Sequence, residues 1–303
     1  MRWRVPLATV VAFGTAAAAV TACSLLTSTD GLAGSAAPAD AMAETSTPVE
    51  GGTEASSPID AGDGGDSSDA DSARSKAYAA AVVLDHPLGY WRLEEASGTV
   101  AKDEMGKFDG AYVLAPTLGQ PGAAGSRAIT LPKDSNARIK VDVPDFRFPG
   151  KLPYSVEAWV IPGVLKNYEW IGGTEIVTGG VRSGWSLFAD DNGSAHYEVW
   201  TPDGDGGSKQ VRGTFFSNVG NLVTGKLAHV VAVWDGTTVI PYLNGVRGQS
   251  LNSTGTVPDT GVLIWGCRGD INHCLDDWTI DELAVYDYAL AEARVAAHYN
   301  LGK

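Results

Sequence analysis

Short runs in which apolar and polar positions alternate fill the chain from about Tyr78 to its end, divided by Gly, Asn, Asp and Pro. "YSVEAWVIP", "GWSLFAD", "AHYEVW", "AHVVAVWDG", "TVIPYLNGV" and "GVLIWG" each read as a strand of four to eight residues. Asp235-Gly236 separates two β-branched runs and predicts a hairpin; Asn192-Gly193 and Asn244-Gly245 predict further tight turns. One segment, from about Ala289 to Tyr299, has helical spacing. Many short strands with regular turn signals and one short C-terminal helix predict an all-β antiparallel sandwich or barrel.

The front of the chain follows a different pattern. Arg2 and Arg4 precede an apolar, small-residue stretch from Val5 to about Val20, a length that suits a secretory signal better than a spanning helix. It ends in Val20-Thr21-Ala22-Cys23, which resembles a bacterial lipobox. That resemblance implies cleavage after residue 22 and lipidation of Cys23, and with Ser24 next in place of an aspartate it implies export to the outer membrane of a Gram-negative bacterium. Residues 23–77 are Ser, Thr, Gly, Pro, Ala and acids with almost no large apolar side chain, which predicts a disordered tether with an end-to-end distance of roughly 40 Å. Residues 78–303 then form the folded domain. The formal net charge is -14, and no Lys/Arg run appears, which argues against nucleic acid as a partner.

Four stretches in order, "LGYWRLEEASGTVAKDEMGKFDGAYV", "YSVEAWVIP", "LAHVVAVWDGTTVIPYLNGV" and "IDELAVYDYALAEARVAAHY", resemble bacterial laminin-G-like domains of the concanavalin A-like superfamily. Together they cover most of Val83 to Tyr299; Leu227 departs from the family, which usually has an aromatic before the "HVV" strand. The resemblance implies a two-sheet jelly roll. It does not imply one function, because the superfamily includes lectins, hydrolases, lyases and adhesion modules. It also implies a structural calcium at the rim, between the early D-x-x-G loop and the acid of the "DE" strand. The matching residues are Asp103, Asp109 and Asp281, although Glu104, Met105, Lys107 and Phe108 stand where the family is richer in Ser and Asn.

Besides Cys23, the chain has Cys267 and Cys274, in "GCRGDINHCLDD". An exported protein meets an oxidising environment, so this pair is expected to form a disulfide that stabilises by about 2–3 kcal/mol in the entropy model. A zinc site with His273 lacks a fourth partner at normal spacing. Arg268-Gly269-Asp270 inside the loop matches an adhesion tripeptide, a match that chance supplies readily.

The adjacent acids Asp281 and Glu282 pose the question of catalysis. Strict alternation puts Asp281 on one face with Thr279, Leu283 and Val285, and Glu282 on the other with Ile280, Ala284 and Tyr286. Glu282 is then a solvated or rim residue. Retaining glycosidases need two carboxyls about 5–5.5 Å apart, which alternate strand residues supply; the residues two before and two after Asp281 are Thr279 and Leu283. Glu157 is flanked on its face by Ser155 and Trp159, again without a second acid. No nucleophile constellation stands out, so the sequence predicts a module that is not an enzyme.

Sugars stack their apolar faces on exposed aromatics. Trp159, Trp234 and Trp265 lie in apolar runs and are expected in the core, whereas Tyr168, Trp170, Trp185, Tyr197 and Trp200 border polar loops and are the candidate ligand contacts. The expected function is non-catalytic glycan or polysaccharide binding by a lipid-anchored envelope protein. The alternatives are a protein-binding adhesion or envelope-assembly module, and a glycan hydrolase or lyase.

Overall fold

The computed structural model describes residues 67–303 apart from 216, 217 and 254. Cys23 and the segments read as signal and most of the tether lie outside the described residues.

Among the described residues the strands form two nine-stranded antiparallel sheets. The central path of sheet I runs Val246–Arg247, Thr238–Leu243, Ala228–Trp234, Tyr154–Ile161, Trp278–Tyr286, Arg127–Leu131 and Thr117–Pro121. That of sheet II runs Ser208–Phe215, Ala195–Pro202, Val181–Ala189, Glu169–Gly173, Leu263–Trp265, Arg138–Val141, Gly110–Val113 and Val100–Ala101. The expected sandwich is therefore present. Its turns are those the residues demand: Trp234 pairs with Val239 around Asp235-Gly236, and Leu243 pairs with Val246 around Asn244-Gly245. Asn244 and Gly245 have φ of 52° and 73°, the positive values that a type I′ hairpin requires.

The main core lies between the sheets and includes Trp91, Trp185, Trp234, Trp265 and Trp278, all buried. Full burial of each such side chain contributes on the order of 2–3 kcal/mol. Period-two alternation sorts sheet II: Trp185, Leu187 and Ala189 enter the core from one strand, and Ala195, Tyr197 and Val199 from its neighbour. Phe188, His196, Glu198 and Trp200 take the opposite face.

A second apolar cluster covers the other side of sheet I, where Trp159, Val231, Val233 and Tyr286 meet Tyr78, Val82 and Val295 from two helices. Helix α2 (Glu292–Gly302) lies within a few residues of the expected C-terminal helix. Helix α1 (Ser67–Leu84) departs from the expected disordered tether over residues 67–77. Its second half is rich in Ala, a strong helix former, and Tyr78 and Val82 are spaced by four and fully buried. Two apolar anchors suffice here because the sheet already supplies the partner surface.

Between the helices and sheet I lies a buried polar network centred on Glu157. Its carboxylate accepts from Tyr78 Oη at 3.0 Å and Tyr286 Oη at 2.8 Å, and pairs with His229 at 2.7 Å and His298 at 3.1 Å. His298 Nε2 reaches Asp85 at 3.0 Å. Burial raises the carboxyl of Glu157, but the two histidines outweigh it and hold the group well below its ordinary value. Glu157 thus fastens both helices to the sheet.

The Asp281-Glu282 pair corrects the alternation argument. The register with Tyr154–Ile161 shifts between Asp281 and Ala284, a β-bulge, and Glu282 has φ of 49°. Ile280 and Leu283 both face the main core, so the bulge carries the two intervening acids out of it together. Glu282 is completely buried rather than solvated; it accepts a hydrogen bond from Tyr90 Oη and pairs with Arg92 at 3.4 Å. Burial, and then the charge of Asp281, push its carboxyl upward.

Candidate functional site: an aromatic and guanidinium cavity on sheet II

Three of the five candidate ligand contacts come together. Tyr168, Trp170 and Trp200 line one cavity of about 490 Å³, joined by Arg182, Glu198, Arg268 and His273. The register explains the convergence. Trp170 pairs across the sheet with Phe188, and Phe188 with His196, so the three rings form a ladder on the outward face of sheet II. Their stacking is close to parallel, with centroids 4.7 Å apart for Trp170–Phe188 and 4.8 Å for Phe188–His196. Tyr168 packs on Phe188 at 5.8 Å and is 46% exposed.

Trp185 and Tyr197 are corrections. Both are buried in the main core, where the Trp185 indole donates to the Phe146 carbonyl at 2.8 Å and the Tyr197 hydroxyl meets that of Tyr154. Their strand parity places them with Leu187 and Val199, and the polar loops beside them do not alter it.

Two arginines absent from the sequence-based candidates define the cavity's chemistry. Arg182 lies with its guanidinium carbon 3.9 Å from the Trp200 ring centroid. Its nitrogens reach Glu175 at 2.7 and 3.1 Å and Glu198 at 3.2 Å. Glu198 also accepts from the Trp200 indole at 2.8 Å, and Glu175 from Ser186 Oγ at 2.7 Å. Trp200 is thereby held by an arginine on its face and a carboxylate at its N–H.

Arg268 approaches from the other side, 5.0 Å from the Trp170 ring centroid. It belongs to the loop closed by the Cys267–Cys274 disulfide, which is present as expected. His273, in the same loop, packs 5.2 Å from Trp170, and its carbonyl accepts the Trp170 amide at 3.0 Å. Burial, and then the charge of Arg268, push the His273 imidazole downward, which favours its neutral form. Arg268 pairs with Asp270 at 2.8 and 2.9 Å, so the Arg-Gly-Asp side chains grip one another. Burial opposes ionisation of Asp270, but the guanidinium and Asn272 hold its carboxyl at about 2.

The Trp170 Nε1 donor is buried and has no partner among the described residues. An unpaired buried N–H costs roughly 1–3 kcal/mol, which a bound acceptor would offset. The cavity therefore offers an exposed aromatic, a half-buried indole and two guanidiniums, with an unpartnered indole N–H buried in its wall.

The three acids expected to hold calcium are arranged for other work. Asp103 accepts four backbone amides, from Tyr90, Met105, Lys107 and Phe108, at 2.9–3.0 Å. Amide donors aimed at both oxygens organise the 103–108 loop and leave the carboxylate poorly placed for a cation. Asp109 pairs with Lys102 at 2.6 Å and accepts the Asp103 amide at 3.0 Å. Asp281 accepts the Ala123 amide at 2.8 Å and Ser126 Oγ at 2.6 Å, closing the Ala123–Gly125 turn onto sheet I. Among the described residues no group of three or more His, Cys, Asp or Glu is placed to hold a metal, and Asp281 Oδ1 is buried without a partner there.

Residues 134–296 match the model of the concanavalin A-like lectin/glucanases superfamily that covers laminin-G-like domains, and the chain belongs to that family. The fold is similar to the binding domain of paraclostridial mosquitocidal protein 1, with a TM-score of 0.54 at 17% identity over 71% of this chain and 52% of that one. It is also similar to the botulinum neurotoxin serotype D binding domain solved with N-acetylneuraminic acid, with a TM-score of 0.53 at 15% identity over 73% of this chain and 52% of the other. A third similar structure is Trypanosoma rangeli sialidase with the inhibitor DANA, with a TM-score of 0.50 at 14% identity over 72% of this chain and 34% of the sialidase. The chain thus spans about half the length of the two toxin domains and a third of the sialidase. At these identities the likeness is one of fold. No curated protein matches the chain.

Proposed function

We propose that the protein is a non-catalytic glycan-binding module, displayed on the cell envelope through a lipid on Cys23. The observation that carries the reading is the convergence of Tyr168, Trp170 and Trp200 with Arg182 and Arg268 on one cavity. Exposed aromatic faces take the apolar side of a sugar ring, and guanidinium N–H groups take its oxygens. A neurotoxin domain of similar fold holds N-acetylneuraminic acid, which supports the same ligand class here. The non-catalytic half of the reading rests on the acids at this cavity. Glu198 is occupied by Arg182 and the Trp200 indole, which leaves no free carboxyl pair facing a ligand there.

The envelope half rests on the N-terminal sequence. A lipid on Cys23 is the proposed attachment, because Val20-Thr21-Ala22-Cys23 resembles a lipobox at the end of an apolar stretch. Cys23→Ser is expected to move the protein from the membrane to the soluble fraction; unchanged partition contradicts the anchor. The full chain carrying Cys23→Ser, applied to a glycan array, is expected to bind one sugar class and to lose that binding with Trp200→Ala. Silence across the array contradicts the glycan reading.

A further inference from the structure

A second cavity, of about 420 Å³, adjoins the first and shares Tyr168 and His273 with it. Its walls differ in kind. Where the first is aromatic and guanidinium-rich, the second carries Lys166, Asn167, Glu169 and Asn272.

Glu169 is the unusual member. It is 1% exposed, and its Oε2 accepts the Trp278 indole at 3.1 Å and the Lys166 amide at 3.2 Å. Its Oε1 is buried and has no partner among the described residues. A core carboxylate with one oxygen unsatisfied carries a desolvation cost that a hydroxyl donor would relieve. The Lys166 ammonium is paired with Asp276. Adjacent residues of one strand line the two cavities, and each carries a buried, unmatched group: the Trp170 N–H donor beside the first and the Glu169 Oε1 acceptor beside the second. Tyr168 stands between them with φ of 67°, held against both Phe188 and His273.

We propose that the two cavities are subsites of one groove, and that the ligand is an oligosaccharide of at least two rings. One ring stacks at Tyr168 and Trp200; the next places a hydroxyl on Glu169 Oε1, with Asn167 and Asn272 beside it. Each cavity is of a size typical of small-ligand sites, and the shared Tyr168 and His273 form the saddle over which the glycosidic link passes. This assignment rests on the glycan reading of the first cavity and extends it by naming ligand length and a specificity residue.

The test is the binding of chito-, malto-, xylo- and galacto-oligosaccharides of one to four residues to the full chain carrying Cys23→Ser, compared with the same chain bearing Glu169→Gln, Asn272→Ala or Trp200→Ala. Gln preserves the shape of Glu169 and an acceptor for the Trp278 indole, so folding is retained; Asn272→Ala probes the opposite wall from an exposed position. The proposal expects the affinity for at least one series to rise tenfold or more between one residue and two or three. Glu169→Gln and Asn272→Ala should each remove most of that rise, whereas Trp200→Ala should weaken binding at every length. If a series binds with no gain beyond one residue, or the gain survives both second-cavity variants, the second subsite is wrong and the first stands. If no series binds at any length, both readings fall.

Discussion

Arg182 rests 3.9 Å from the centroid of the Trp200 ring while its nitrogens grip Glu175 and Glu198. One cation therefore satisfies a buried carboxylate, fixes a second and sets the attitude of the indole that borders the cavity. Structure and proposed binding meet in that side chain.

Arg182→Ala leaves Glu175, which is fully buried on its side chain, without its cation. Breaking such a pair costs about 3–5 kcal/mol, so the urea midpoint should fall sharply. Arg182→Lys supplies a charge but not the two-pronged guanidinium geometry, and should recover only part of the loss. A stability equal to wild type in the alanine variant would show that the pair does no work in the fold.

Trp200 and Trp185 lie on neighbouring strands of sheet II but should respond oppositely. Trp185→Ala opens a core cavity and is expected to cost about 3–5 kcal/mol in urea unfolding. Trp200→Ala removes a half-buried ring and should cost less than about 2 kcal/mol while weakening glycan binding at least tenfold, the equivalent of about 1.4 kcal/mol. Similar stability losses in the two variants would contradict the facing assigned here.

Stability should decline from mildly acid to mildly alkaline pH. Burial raises the Glu169 carboxyl from 4.5 to about 7 and that of Asp281 from 3.8 to about 7. Below those ordinary values each group is protonated in both folded and unfolded chains, so its contribution is fully present. As pH rises the unfolded chain ionises first, and the contribution is lost by the time pH passes about 7. His298 is also raised, by Glu157 and Asp85 against the opposing effect of its burial, and loses its contribution above its ordinary 6.5. Glu157, held low, works in the opposite sense only below pH 4.5. Thermal melts from pH 5 to pH 8 should therefore show a falling midpoint, and Glu169→Gln with Asp281→Asn should flatten the curve. A midpoint that rises across this range contradicts the assignment.

Reducing the Cys267–Cys274 disulfide should loosen the loop that carries Arg268 and His273 against Trp170. The expected stability loss is about 2–3 kcal/mol, accompanied by weaker ligand binding. Cys267→Ser with Cys274→Ser should reproduce both effects. Binding unchanged in that double variant would remove the loop from the site.

The sandwich was legible because its signals are local. Asp235-Gly236, Asn192-Gly193 and Asn244-Gly245 specify their turns whatever surrounds them, and the alternating runs beside them become strands of both sheets. The same alternation places Trp185 with Leu187 and Tyr197 with Val199 in the core, and the polar loops beside them do not override strand parity. Glu282 shows the reverse, because a bulge shifts parity and nothing in "TIDELAVYD" announces one. Asp103 opens an Asp-x-x-Gly loop, a pattern that serves amide capture as well as cation binding, and its carboxylate accepts amides of that same loop. Helix α1 was hidden by Ser and Asp around two anchors, Tyr78 and Val82. Arg182 and Arg268 come from segments far apart in the chain, and pairing across sheet II is what joins them. The one available clue was that Arg268 and His273 lie inside the disulfide loop.

The most direct test is a crystal structure of the chain with the glycan that binds best on the array. The account predicts a sugar ring packed on Tyr168 and Trp200, with oxygens in hydrogen-bond reach of Arg182 or Arg268. Sugar bound on another face, with this cavity holding only water, would contradict it.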